Sequence, residues 1–210
     1  MPRPNRWRDV VRAAAEEFRE YGYDGSTLEG IADRVGMMKG SLYNYIDTKE
    51  DLLIAVTAEP VEQLFSELRH LERSDIAAVD RLRALFRLNV QLFTEHYPAA
   101  FVFIQERSRK PQNEGLRGRD HEYAEVVERI VRDGAARGEF VLPGSTKVAV
   151  RYIVGVINSM VYWFHPAPGA AKNDYDGLAD ELFAYAVRGL AGSPLGQIEG
   201  GEVTREASRN

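Results

Sequence analysis

The sequence predicts an all-α protein: a three-helix N-terminal head over residues 1–50, then a larger helical body over 51–192, about nine helices in all. Three observations carry this. Apolar residues recur at i, i+3, i+4, i+7 spacing along most of the chain. No segment sustains the apolar–polar alternation of a strand. The periodic stretches are bracketed by Ser, Thr or Asp in front and by Gly or Pro behind. At 210 residues and 44% hydrophobic content, there is enough apolar material for a sizeable core.

The first helix carries Trp7, Val10, Val11, Ala14, Ala15, Phe18 and Tyr21 on one face and closes at Gly22. Ser26 and Glu29 form a capping-box pattern that opens a short second helix through Ile31, Ala32 and Val35, stopped by Gly36. A third runs through Leu42 and Tyr43 to Tyr45. Asp47-Thr48-Lys49-Glu50 reads as another capping box and starts a long fourth helix, with Leu53, Val56, Val61, Leu64, Leu68 and Leu71 inward. Pro60 lies inside it and predicts a kink, because proline lacks an N–H and crowds the preceding turn.

The fifth helix, from about Ile76 to His96, is apolar on nearly all sides and therefore central. Pro98 opens a short sixth through Phe101 and Ile104, and Lys110 to Arg119 reads as a loop. Tyr123, Val126, Val127, Ile130 and Val131 mark the seventh, which ends near Arg137-Gly138. Ser145 to Phe164 is the most apolar helix, and Asp174 caps a last one carrying Leu178, Leu182, Ala186 and Leu190. Gly192-Ser193-Pro194 ends it, leaving residues 193–210 as a polar, disordered tail.

Composition narrows the function. There are no cysteines, which excludes thiolate metal sites, disulfides and thiol nucleophiles and fits a cytoplasmic setting. Arg3, Arg6 and Arg8 have no apolar run behind them, so the start is no signal peptide. Val148 to Phe164 is interrupted by Arg151, Asn158 and Ser159 and falls short of the ~20 apolar residues of a membrane span. The net charge of −5 is the wrong sign for coating nucleic acid nonspecifically, so any DNA-binding function needs locally placed cations.

Residues 27–45 meet the demands of a helix-turn-helix one by one. Ala32 allows two short helices to cross closely, and Gly36 accepts the positive φ of the turn. Ile31, Val35 and Leu42 hold the pair together. The second helix then offers Lys39, Gly40, Ser41, Tyr43, Asn44 and Tyr45 outward, as donors and flat rings suited to phosphates, base edges and thymine methyls.

Residues Val10 to Leu53, with AAAEEFREYGYDGSTLEGIADRVGMMKGSLYNYIDTKEDLL, closely resemble the N-terminal domain of the TetR family of repressors. The matching features are the YGYDGST turn, the IADRVG helix, the KGSLYNYI recognition helix and the TKEDLL opening of the fourth helix. The resemblance implies that Lys39, Ser41, Tyr43 and Tyr45 contact DNA. It also implies phosphate contacts from Thr27 near the start of the second helix and from Lys49 near the start of the fourth. Two positions depart from the family pattern: Met38 replaces a small hydroxylated residue, and Ile46 an aromatic one. Acidic and basic residues nearly balance between Arg3 and Lys49, so affinity rests on a few cations, including the arm Arg3, Arg6 and Arg8.

By the same resemblance, the remainder is a ligand-binding and dimerisation domain. The eighth and last helices would pair with their copies, and Gly155 and Ser159 would permit close approach. FVFIQERSR and VYWFHPAPG are similar to a narrower branch that regulates fatty-acid and steroid breakdown and answers to acyl-CoA thioesters, although that branch often has arginine where His165 stands. Phe86, Asn89, Phe93, Phe103, Tyr123, Val127, Tyr152, Val156, Asn158, Ser159 and Tyr162 mix apolar bulk with a few polar groups and form the candidate pocket.

Nothing points to catalysis or a cofactor. The four histidines are scattered, and HExxH, P-loop, GxSxG and GxGxxG patterns are absent. His121 and Glu125 read as a solvated pair, and Glu95 and Glu106 as surface carboxylates. The expected function is a ligand-released repressor that binds a palindromic double-stranded DNA operator as a homodimer. The alternatives are a multidrug-type sensor with a promiscuous aromatic pocket, and a helical ligand carrier or enzyme with a vestigial DNA head.

Overall fold

The computed structural model describes residues 4–109, 118–171 and 173–190. Among these residues every regular element is a helix. The head begins with α1 (Pro4–Gly25), whose helical dihedrals fail at Gly22 (φ 69°, ψ 164°), where the expected stop falls. The next cap sits one residue later than the sequence pattern suggested. The Ser26 N–H still bonds Gly22 O, and its hydroxyl donates to Tyr23 O at 2.6 Å. Ser26 thus belongs to the closing turn of α1. Thr27 is the extended residue that caps α2 (Leu28–Val35), its Oγ1 accepting the Gly30 N–H at 2.9 Å.

Gly36 ends α2 in the left-handed conformation (φ 65°) that an L side chain rarely adopts. The helix that follows is shorter than expected. α3 spans only Lys39–Leu42, and the chain turns through Tyr43 to Tyr45 with the Ile46 N–H closing on Leu42 O. Met38 supplies no side-chain cap, so one stabilising bond is missing where this helix starts.

The capping box of α4 (Lys49–Arg73) pairs Thr48 with Asp51, rather than lying within Asp47 to Glu50. Asp51 Oδ2 accepts the N–H groups of Thr48 at 2.8 Å and Asp47 at 3.0 Å. Asp51 is at the third helical position, from which a carboxylate can reach back to the cap. α4 runs on unbroken through Pro60, and the Thr57 hydroxyl donates to Leu53 O at 2.8 Å just before it.

The body adds α5 (Ala78–Glu95), α6 (Ala99–Arg109), α7 (Arg119–Ala136), α8 (Thr146–Trp163) and α9 (Asp176–Leu190). Asp174 does not cap α9: its Oδ2 accepts the Ala171 N–H at 2.7 Å and closes the preceding turn. The expected tail and loop residues 110–117 lie outside the described residues, as does Arg3.

Two apolar cores result. The head core joins Val10, Ala14, Phe18, Ile31, Ala32 and Leu42 to Leu52, Leu53 and Val56 of α4, and it takes in Val102 of α6. The body core begins at Val61 and surrounds α5, with Leu82, Leu85, Phe86, Val90, Leu92 and Phe93 all buried. α6 therefore serves both: Val102 enters the head core, while Ala100, Phe103 and Ile104 enter the body core. Among the described residues no helix is long and apolar enough to cross a membrane.

Candidate DNA-reading face and effector groove

The head holds its short helices with buried Ile31, Ala32 and Leu42, all without exposed surface. A second clasp was not foreseen from sequence. Glu17 of α1 is buried, and its Oε2 accepts from Arg34 Nε of α2 at 2.7 Å, while Arg34 Nη2 reaches Glu20. These two carboxylates, Glu17 first, push the Arg34 guanidinium pKa still further up. Gly30 makes room for the Glu17 carboxylate, since a Cβ there would lie 2.3 Å from Glu17 Oε1.

On that frame Thr27, Lys39, Gly40, Tyr43 and Asn44 are exposed, with Tyr43 at 52%. Nothing stands within 4 Å of an added Cβ at Gly40, so this edge is open to a close partner. Ser41 and Tyr45 are half-buried. The Tyr45 ring stacks on Trp7 at 6.0 Å and 12°, which ties the turn after α3 back to α1. Arg6 and Arg8 are exposed, and both lie within α1 rather than on an extended arm. Lys49 departs most from expectation. Its ammonium turns inward, donating to Tyr23 O at 2.6 Å and Ser26 O at 3.0 Å, and lies 4.5 Å from the Tyr23 ring centre.

The pocket set divides in two. Phe86, Asn89, Phe93, Phe103, Tyr123 and Val127 are buried together in the body core. Asn89 Nδ2 donates to Leu85 O at 2.8 Å and to Tyr123 Oη at 2.9 Å, so its amide N–H groups are satisfied internally. Phe93 packs on Phe164, and Phe86 on Phe183. Asn158, Ser159 and Tyr162 instead face a groove of about 480 Å³ between α6 and α8. Phe101, Ile104, Gln105, Gly155 and Val161 complete its walls, and the sequence reading had placed none of these in the pocket. The available signal was the FVFIQ run of α6. Gln105 Oε1 is buried there without a hydrogen-bond partner. Ser159 Oγ donates to Val156 O at 2.7 Å and accepts from Trp163 Nε1 at 3.2 Å. Val156 is half-buried, and Tyr152 lines a separate hollow near the start of α8.

α8 presents Val148, Tyr152, Gly155, Ser159 and Tyr162 at alternating steps of four and three, which is one helical face, and the last three of them also line the groove. Val148 is 63% and Tyr162 84% exposed, and Tyr185 of α9 is also well exposed. Elsewhere, Glu106 is almost fully buried where α6 meets the head, not a surface carboxylate. Glu95 is exposed and bonds Gln63. The exposed His121–Glu125 pair stands at 3.2 Å, and no cluster of three potential metal ligands occurs among the described residues.

The family model described as "Bacterial regulatory proteins, tetR family" matches residues 10–56, and that described as "Tetracyclin repressor-like, C-terminal domain" matches residues 75–190. The HTH-type transcriptional repressor KstR2 of Mycolicibacterium smegmatis is 25% identical over 162 residues, 75% of this chain and 78% of that protein. The ketosteroid regulator KstR2 of Mycobacterium tuberculosis has a similar fold, with TM-score 0.78 at 20% identity over 92% of this chain and 98% of its own. AibR, solved in complex with isovaleryl coenzyme A and operator DNA, gives TM-score 0.67 at 24% identity over 89% and 98%.

Proposed function

The chain belongs to the TetR family of transcriptional regulators, and from that premise we propose that it represses transcription as a homodimer released by an acyl-CoA thioester. Two copies would join through the α8 stripe and α9 and hold their heads at the spacing of a palindromic operator. Lys39, Gly40, Ser41, Tyr43 and Asn44 read the groove, and Thr27 meets phosphate at the start of α2. The protein acts in the cytoplasm as a regulator, not as an enzyme.

The observation that carries the effector assignment is the α6–α8 groove. Its Phe101, Ile104 and Val161 walls suit an acyl chain, and the amides of Gln105 and Asn158 suit the polar thioester and pantetheine arm. The repressor name of the KstR2 relative supports repression, and the isovaleryl coenzyme A bound in AibR supports a thioester effector. An occupant pressing α6 would shift Val102 in the head core, which gives the effector a path to the DNA face.

The test is a panel of short- to long-chain acyl-CoAs, screened by native mass spectrometry. Binders are then titrated against the duplex that wild-type protein selects from a random-sequence pool. One panel member should weaken DNA binding, and DNA should weaken that member equally, since coupling between sites is reciprocal. If no panel member changes DNA affinity, the acyl-CoA reading fails. A cationic dye panel that does change it would favour a multidrug-type sensor.

A further inference from the structure

We propose that Met38 reads sequence, by setting its side chain against the 5-methyl group of a thymine in the major groove of the operator. The inference rests on the reading of the head as a DNA-binding unit. Two methionines follow the turn at Gly36, and they are placed differently. Met37 is half-buried and packs against the head core. Met38 belongs to neither core and is 81% exposed, although its side chain is large and apolar. The backbone explains the division. Met38 is extended (φ −72°, ψ 140°), and along extended chain successive side chains point to opposite sides.

The backbone that carries Met38 is pinned on both sides. The Met37 N–H donates to Ala32 O at 3.0 Å, and Met38 O accepts the Ser41 N–H at 2.8 Å. Met38 is thus held at the start of α3, directly before the exposed Lys39 and Gly40. In a helix-turn-helix the first residues of the second helix are the ones that meet base edges. The chemistry of the side chain then selects its partner. A thioether has no proton to donate and is a weak acceptor. Against the amino, carbonyl or ring-nitrogen groups of a base edge it would displace water and return no bond. The C5-methyl of thymine is the apolar feature that the major groove offers, and covering it takes apolar surface of both partners out of water. Three rotatable bonds let the methionine chain adapt to it.

The experiment compares wild type, Met38→Ala, Met38→Leu and Met38→Ser on the duplex that wild type selects from a random-sequence pool. Each thymine, together with its symmetry mate, is replaced in turn by uracil, which differs only in lacking the methyl. Replacement at one pair should weaken wild type about fourfold per half-site, the scale of one apolar carbon removed from water. Met38→Ala should bind the unmodified duplex at least as weakly, and uracil at that pair should cost it nothing further. Its salt slope should match wild type, because no phosphate contact is lost. Met38→Leu, close in volume and equally apolar, should keep most of the affinity and the uracil response. Met38→Ser supplies the hydroxyl cap that α3 lacks, so it should melt no lower than wild type and still lose the uracil response. That combination separates a base contact from a defect in folding.

If no uracil pair weakens wild type, or the same pair weakens Met38→Ala as much, Met38 does not read the methyl and the proposal is overturned. Wild-type affinity in Met38→Ala overturns it equally. Wild-type protein that selects no duplex would instead sink the DNA-binding reading on which it rests.

Discussion

Replacing Arg34 with methionine keeps the apolar length of the side chain and removes its guanidinium. The Glu17 side chain is only 7% exposed, so the change would leave its carboxyl group in a site with little water and without the Arg34 partner. Removing one member of a buried pair costs ~3–5 kcal/mol. The Arg34 side chain is 32% exposed, so solvent screens part of the interaction and about 2–3 kcal/mol is the better expectation here. For a chain of this size that is a fall in Tm of roughly 5–10 °C. Circular dichroism melts and urea titrations at neutral pH measure it. The decisive comparison adds Glu17→Gln to Arg34→Met, because a neutral amide costs much less to bury unpaired. The double variant should recover more than half of the loss. If it melts as low as Arg34→Met alone, the stranded charge is not the cause and the reasoning fails. DNA affinity should follow the same order, since the clasp sets α2 against α1.

Tyr43→Ala should lower operator affinity severalfold while the melt stays within about 0.5 kcal/mol of wild type, because an exposed ring supports little of the fold; equal affinity by fluorescence anisotropy would remove Tyr43 from the reading face. Gly155→Glu has open space around its new Cβ, so the protomer should fold normally while dimerisation and operator binding are lost; sedimentation of an intact dimer would show that α8 is not the interface. The Asp51 carboxyl is held below the usual carboxylate range by the N–H groups of Thr48 and Asp47. Its folded pKa is the lower one, so its stabilisation is present above about pH 4 and is lost as pH falls through the folded value. Asp51→Asn should therefore flatten the acid limb of stability against pH, and an unchanged limb would refute this. Pro60→Ala, between the head and body parts of α4, should leave DNA and effector each binding alone as before and alter only their mutual effect; isothermal titration with both present tests it.

The helices and their order were legible because each is a local pattern, and so was the helix-turn-helix, whose determinants lie within twenty residues. The misplaced caps at Ser26 and Asp47 show the limit of local reading. Neighbouring side chains can each cap, and backbone hydrogen bonds made elsewhere decide which does. The Glu17–Arg34 clasp and the inward turn of Lys49 join residues 17 to 26 positions apart on different elements, with no period to betray them. The pocket set divides in two for a related reason. An aromatic helix face looks the same in sequence whether it meets a cavity or another helix. Phe86 and Phe93 meet other rings in the core, while Asn158 and Tyr162 meet a groove. Glu106 reads as surface from composition and is buried by the approach of α6 to the head.

The shared allegiance of α6 bears on building chimaeric biosensors from this chain. A designer who exchanges the head by splicing near residue 50 carries across the recognition residues but leaves Leu52, Leu53, Val56 and Val102 behind in the recipient. Those four side chains are the floor on which the donor head must rest, and a floor cut for another head leaves voids or overlaps. Each costs on the order of 1–3 kcal/mol and degrades transmission before it abolishes folding. The transferable module is therefore discontinuous: the N-terminal segment through Val56 together with the face of α6 around Val102. Grafts that respect that seam should keep their response to effector, whereas grafts cut at the linear boundary should yield regulators that still bind DNA but no longer let go.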